Sequence, residues 1–202
     1  MSLASLLLFA GVYLAAVAAP GPGTVSVVAR VLAQGTGGLA AYIAGFVLGD
    51  LIWFAIAATG LAVMAQTFAG VMIVLRLAGA AYLLWVAYQL WTAPATVGPA
   101  SASRGGGLRA TLAGLSLTLG NPKVIVFFLA LLPSVIDLEA LTPLGAAELA
   151  ALMAILLSAV LAGYGLAAAR ARRLFTTARA MRRLNRGASV VMAGAAAVVA
   201  TR

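Results

Sequence analysis

Residues 3–28 read LASLLLFAGVYLAAVAAPGPGTVSVV, an apolar run that carries no charge before Arg30 and has Pro20-Gly21-Pro22-Gly23 set inside it. A transmembrane helix needs about 20 mostly apolar residues, so the run is long enough to cross a bilayer. Proline removes a backbone donor and clashes with the preceding turn, and glycine weakens a helix further. The run therefore reads as a span that breaks near its middle. No basic residue precedes it, and the apolar character continues past Pro20. It is expected to be a first span rather than a cleaved secretory signal.

The same device recurs half a chain later. Gly120-Asn121-Pro122-Lys123 interrupts an apolar run at about 110–132, and Gly21 and Pro122 stand 101 residues apart. Further apolar runs lie at about 39–64, 69–91, 144–169 and 187–201. The last is the shortest; its fifteen residues make about 22 Å of helix against a hydrocarbon core of roughly 30 Å. The expected fold class is an all-α integral membrane protein of about six transmembrane helices, one transporter domain over 1–202. Two three-helix repeats, 1–92 and 108–202, flank a flexible Pro-, Gly-, Ser- and Ala-rich linker at 93–107. Three being odd, the second repeat starts on the opposite side from the first, which gives inverted topology with helices 1 and 4 broken at Pro-Gly-Pro and Asn-Pro-Lys. Paired interruptions in matching helices point to a transporter's midplane binding site. The freed N–H and C=O groups must face protein or a cavity, not lipid. Candidate substrate-binding residues are accordingly Pro20, Gly21, Pro22, Gly23, Asn121, Pro122 and Lys123. A substrate carboxylate is expected to meet the amides after Pro22 or Pro122, at the positive end of a half-helix.

Composition closes other routes. Of 202 residues 64% are hydrophobic and 8% charged, against about 25% charged in soluble domains. With no cysteine and no histidine, disulfides, thiol nucleophiles, Cys/His zinc sites and Ser-His-Asp catalysis are excluded. No nucleophile–base pair or metal cluster is visible, so the chain is not read as an enzyme and no cofactor or metal is implied. The net charge of +9 gathers in one stretch, where seven of thirteen basic residues lie between Arg170 and Arg186. That pattern fits a loop facing anionic membrane lipid rather than a nucleic-acid surface.

The charges inside the spans are the chemical candidates. Asp50 and Lys123 both fall near mid-depth, where an isolated charge costs about 2.5–3.5 kcal/mol on insertion scales. Asp50, the only carboxylate there, is the candidate for proton coupling; Lys123 is the candidate for a substrate carboxylate or for an ion pair with Asp50. A fixed ion pair that only orders the bundle is the alternative for both. Arg76 is expected to snorkel toward an interface. Gly45 and Gly49 form a small-xxx-small pair suited to close helix packing or to a dimer. Trp85, Tyr88 and Trp91 fit an interfacial aromatic belt. Gly35, Gly37 and Gly38 read as turn residues without nucleotide-loop spacing.

The loops set the orientation. Arg30, Arg104, Arg109 and the Arg170–Arg186 group fall on one side of a six-span chain, and Asp137 and Glu139 on the other. By the positive-inside rule the Arg loops are cytoplasmic, with both termini outside the cytoplasm.

The ordered motifs resemble the LysE/RhtB family of amino-acid exporters. Pro20-Gly21-Pro22 matches the family's early Pro-Gly-Pro, and Gly45 through Gly49-Asp50 its Gly-rich entry into helix 2. Gly79-Ala80-Ala81-Tyr82-Leu83 resembles its helix 3 motif. Asn121-Pro122-Lys123, Phe127-Phe128 and Pro133 resemble its helix 4. The resemblance covers essentially the whole chain. It implies a bacterial inner-membrane protein that exports amino acids or related small molecules, driven by the proton-motive force, and a homodimer. Two other readings stay open: a channel or exporter of other solutes or ions on the same scaffold, and a non-transporting membrane assembly subunit.

Overall fold

The computed structural model describes residues 2–59, 107–138 and 140–174, with isolated positions within 77–92 and 179–197. Arg76, Gly79, Tyr82, Leu83, Arg104 and linker residues 93–106 lie outside the described residues, as does much of the sixth expected span. The described residues form helices α1 (Leu3–Ala18), α2 (Pro22–Gln34), α3 (Leu39–Ala58), α4 (Gly107–Leu119) and α5 (Pro122–Val126). A π-helical turn at Phe127–Leu131 leads into α6 (Leu132–Val135), and α7 (Pro143–Leu174) follows. Isolated helical positions from Leu77 to Thr92 and from Arg179 to Ala197 fall where the third and sixth spans are expected. Ser189 on one donates to the Ala87 carbonyl on the other at 2.7 Å.

Both expected breaks are present. The pair α1–α2 is bent by 54°, and Gly107–Leu119 with Pro122–Leu129 by 57°. Each pair is long and apolar enough to count as one bent span, while Leu39–Ala58 and Pro143–Arg172 each suffice alone. The chain restarts as helix after each break for a local reason. Proline at the first helical position loses an amide that would have no partner anyway, and its fixed φ suits the helix; Pro22 and Pro122 both occupy that place.

Arginines expected in loops lie within helices instead: Arg30 within α2, Arg109 within α4, and Arg170, Arg172 and Arg173 within α7. Arginine is a good helix former, and a cation near a helix C-terminus meets the negative end of the dipole. The Arg30 guanidinium stacks over the Tyr42 ring at 5.0 Å, and Arg172 donates to the Val31 carbonyl near the end of α2 at 3.4 Å. The α2–α3 turn uses Gly35 and Gly38, at φ 74° and 71°, a region other residues adopt at a cost.

Helices in lipid gain no hydrophobic energy from one another, so close packing and interhelical hydrogen bonds must hold them. Helix α3 packs along α4 and also meets α7, which receives α1 and α2. Gly45, Gly49 and Gly114 make the α3–α4 approach possible. A Cβ at Gly45 would run into the backbone of Thr111 and Leu115, and one at Gly114 into the Tyr42 carbonyl. A Cβ at Gly49 would come within 2.6 Å of the Thr118 side chain. The approach also lets Thr111 donate to the Ala41 carbonyl at 3.0 Å. The small-xxx-small pair is thus filled within the chain and is not free to serve a dimer. The core holds Phe9, Tyr13, Phe46, Trp53, Leu117, Phe128, Leu149 and Leu161, while Leu3, Leu7, Leu144, Ile155 and Leu166 point outward, as a lipid-facing exterior requires.

Candidate functional site

The two breaks meet. A cavity is lined by Gly21, Gly23 and Thr24 from the first and by Asn121, Lys123 and Val124 from the second. Asp50 and Phe46 of α3, Tyr13, Ala16 and Val17 of α1, Ala19 just after it, Phe127 and Phe128 of the π turn, and Leu157 and Leu161 of α7 complete it. It offers about 60 Å³ to the centres of water-sized molecules, and one water needs roughly 10–15 Å³ by this measure. A small polar solute fits that scale. Its lining combines polar groups (Thr24, Asp50, Asn121 and Lys123) with aromatic and aliphatic side chains.

Asp50 is the twelfth of twenty residues in α3 and is 4% exposed. Tyr13 donates its hydroxyl to Asp50 Oδ2 at 2.6 Å, a length typical of a hydroxyl bonded to a carboxylate. Rings surround this bond: Tyr13 stacks on Phe9 at 5.6 Å and meets Phe127 edge-on at 5.4 Å, and Phe127 meets Phe128 at 5.1 Å. π-helical turns are frequent at functional sites, and this one places two successive aromatics on the cavity wall.

Lys123 shares the cavity with Asp50 but takes another partner, donating from Nζ to the Ala19 carbonyl at 2.6 Å. The expected Asp50–Lys123 ion pair is therefore replaced by two separate hydrogen bonds. The reason lies in the first break. An unbroken helix would give the Ala18 and Ala19 carbonyls amides four residues on. Pro22 has no N–H, and no bond runs from Gly23 back to Ala19 among the described residues. Ala18 and Ala19 lie on the exposed side of the break, where carbonyls without donors are costly in lipid, and Lys123 and Tyr164 supply the donors; Tyr164 donates to the Ala18 carbonyl at 2.8 Å.

The amides of the two half-helices differ from one another. At the second break Asn121 caps its helix. Lys123 N–H donates to Asn121 Oδ1 at 3.1 Å and Val124 N–H to the Asn121 carbonyl at 3.0 Å. The amides after Pro122 are thus occupied, so of the two expected positions for a carboxylate, after Pro22 or after Pro122, the second is closed. At the first break Gly21 N–H donates to Thr24 Oγ1 at 2.8 Å, and the Thr24 hydroxyl donates to the Gly21 carbonyl at 2.9 Å. The Gly23 and Thr24 amides find no acceptor among the described residues. Both residues line the cavity. Gly23 is also tightly placed, since a Cβ there would lie 2.9 Å from the Phe46 ring. Ser26 and Tyr42 extend the polar side: Ser26 donates to the Gly23 carbonyl at 2.7 Å and Tyr42 to Ser26 Oγ at 2.9 Å. Replacing Thr24 by Val removes both bonds at Gly21 without changing side-chain volume much. It is expected to lower stability by about 1 kcal/mol, the usual cost of losing a cap, read as a drop in the melting temperature of the detergent-purified protein.

Of the eight sequence candidates Gly21, Gly23, Asp50, Asn121 and Lys123 line the cavity, while Pro20, Pro22 and Pro122 belong to the two breaks beside it. Sequence reasoning missed Tyr13, Thr24 and Tyr164. A signal existed for the tyrosines, because a buried Tyr hydroxyl needs a partner and each stands in an otherwise aliphatic run. Among the described residues no three His, Cys, Asp or Glu side chains gather as a metal site.

Comparison with known proteins accords with this geometry. A leucine efflux protein of Klebsiella pneumoniae subsp. pneumoniae is 35% identical over 128 residues, 61% of this chain and 59% of its own. A homoserine/homoserine lactone efflux protein of Salmonella typhi is 33% identical over 121 residues, 58% of this chain and 57% of its own. An uncharacterized membrane protein of Vibrio cholerae is 32% identical over 120 residues, 59% of this chain and 58% of its own. The chain spans less than three fifths of the length of these relatives in the matched stretches. No solved structure matches. The family model for the LysE type translocator matches residues 14–202, from the turn of α1 that carries the cavity to Arg202. With that match running through both breaks and over nearly all of its length, the chain belongs to the LysE type translocator family.

Proposed function

We propose that this protein is a secondary active transporter that exports small amino acids or closely related metabolites across the bacterial inner membrane in exchange for protons. The observation that carries the proposal is the convergence of both helix breaks on one cavity that also holds a buried carboxylate. Broken helices at corresponding positions mark binding sites in transporters built from repeats. The similar bends of 54° and 57° support reading residues 1–92 and 108–202 as inverted repeats that rock about the cavity. The efflux names carried by relatives from Klebsiella and Salmonella support an amino-acid-like cargo.

In this reading the carboxylate of the solute meets the Gly23 and Thr24 amides at the positive end of α2 and the Lys123 ammonium. Its side chain lies toward Val17, Phe128, Leu157 and Leu161. Asp50 takes up a proton from outside and releases it inside as the solute moves outward. The Arg-rich segment faces the cytoplasm, by the positive-inside rule. Two copies associate as a homodimer through surfaces other than Gly45 and Gly49, which α4 already covers.

The test uses purified protein in proteoliposomes loaded with a panel of radiolabelled amino acids, with and without an imposed pH gradient. Gradient-accelerated efflux of one chemical class is expected. Folded, inserted protein that releases none of the panel overturns the reading.

A further inference from the structure

The Pro20-Gly21-Pro22 break leaves the carbonyls of Ala18 and Ala19 without helical donors, and both are met by residues more than 100 positions away in sequence. The two donors differ in kind. Tyr164 is a neutral hydroxyl carried on the long helix α7, and it does not line the cavity. Lys123 is an ammonium on a flexible four-carbon stem, half-buried, and it lines the cavity beside Gly21. A carboxylate is a stronger acceptor for an ammonium than a neutral amide carbonyl is. An incoming carboxylate therefore competes with Ala19 for Lys123, while nothing in the cavity competes with Ala18 for Tyr164.

We propose that Tyr164 is a positioning residue for substrate recognition: it holds the end of α1 in place while Lys123 passes from the Ala19 carbonyl to the carboxylate of the solute. The inference rests on the transport reading and adds a division of labour between the two donors. With Tyr164 present, the departure of Lys123 frees one carbonyl and the break keeps its shape. Without it, that departure leaves both carbonyls unheld, and the cost falls on solute binding. A solute with no carboxylate leaves Lys123 on Ala19 and does not depend on Tyr164.

The experiment measures equilibrium binding to the full-length protein in detergent. The probes are L-leucine and L-homoserine, each paired with its C-terminal amide. Wild type is compared with Tyr164→Phe, Lys123→Met and the double variant. Tyr164→Phe removes one hydroxyl and keeps the ring, so a folded protein is expected, checked by its elution profile. The expected result is about tenfold weaker binding of the amino acid, the scale set by the loss of one hydrogen bond, with unchanged binding of the amide. In the Lys123→Met background, Tyr164→Phe is expected to change neither, the non-additivity that marks coupled residues. Equal weakening of acid and amide shows Tyr164 to be a general structural support and overturns the inference. So does a persistent tenfold effect without Lys123. A wild type that binds none of the four probes counts against the transport reading itself and is seen before any variant is compared.

Discussion

In proteoliposomes held acidic outside, Asp50→Asn is expected to abolish the stimulation of efflux by the pH gradient. Exchange of labelled for unlabelled solute is expected to stay near the wild-type rate. The substitution is nearly isosteric. Asn still offers an oxygen to the Tyr13 hydroxyl, so the bond now measured at 2.6 Å has a successor and the aromatic enclosure keeps its shape. What is lost is a group able to carry a proton. Among the described residues Asp50 is the only carboxylate lining the cavity, and an ionisable residue at this depth is expensive to keep without a role. Asp50→Leu serves as the contrast. It leaves Tyr13 with a buried, unmatched donor at a cost of about 1–3 kcal/mol, and a fall in both stability and exchange is expected. Gradient stimulation retained in Asp50→Asn removes Asp50 from the coupling step.

Gly45→Ala is expected to be the most damaging single methyl in the described structure. The added Cβ would meet the Thr111 and Leu115 backbone, and backbone cannot rotate aside as a side-chain tip can. Helices α3 and α4 must separate, and the Thr111–Ala41 hydrogen bond of 3.0 Å goes with the contact. Overpacking of this kind costs about 1–3 kcal/mol, and the lost bond adds about 1 kcal/mol. A sharply reduced melting temperature and yield of monodisperse protein are the expected readouts. Gly11→Ala is the control, because a Cβ there meets nothing within 4 Å; it is expected to behave as wild type. A Gly45→Ala protein as stable as the control contradicts the packing account.

Much of the architecture is local and was legible for that reason. The ~20-residue length of a span, the helix-breaking action of Pro20-Gly21-Pro22 and Asn121-Pro122, and the positive-φ turn at Gly35 and Gly38 each depend on neighbours in sequence. The Gly45–Gly49 pair was legible as a packing surface, but not its occupant, since Gly45 and Thr111 lie in different spans. The same limit hid the partners inside the cavity. Tyr13 reaches Asp50 across 37 positions and Lys123 reaches Ala19 across 104, contacts fixed by how the broken helices cross. The capping of Lys123 N–H by Asn121 was readable in principle, because Asn before a helical proline is a strong N-cap. Arg30, Arg109, Arg170, Arg172 and Arg173 read as loop residues because charge usually marks the end of a span; helix propensity keeps them helical, and Arg30 is also held over the Tyr42 ring. The π turn has no signature in the apolar string FFLAL.

In the proposed exchange, outward movement of an amino acid is tied to inward movement of a proton through this cavity. The direct measurement imposes only an amino-acid gradient. Proteoliposomes are loaded with the exported amino acid and a pH-sensitive dye, diluted into amino-acid-free buffer, and clamped at zero membrane potential. Acidification of the lumen as the amino acid leaves, lost in Asp50→Asn, is the predicted result. Efflux at full rate with no change in luminal pH would contradict it.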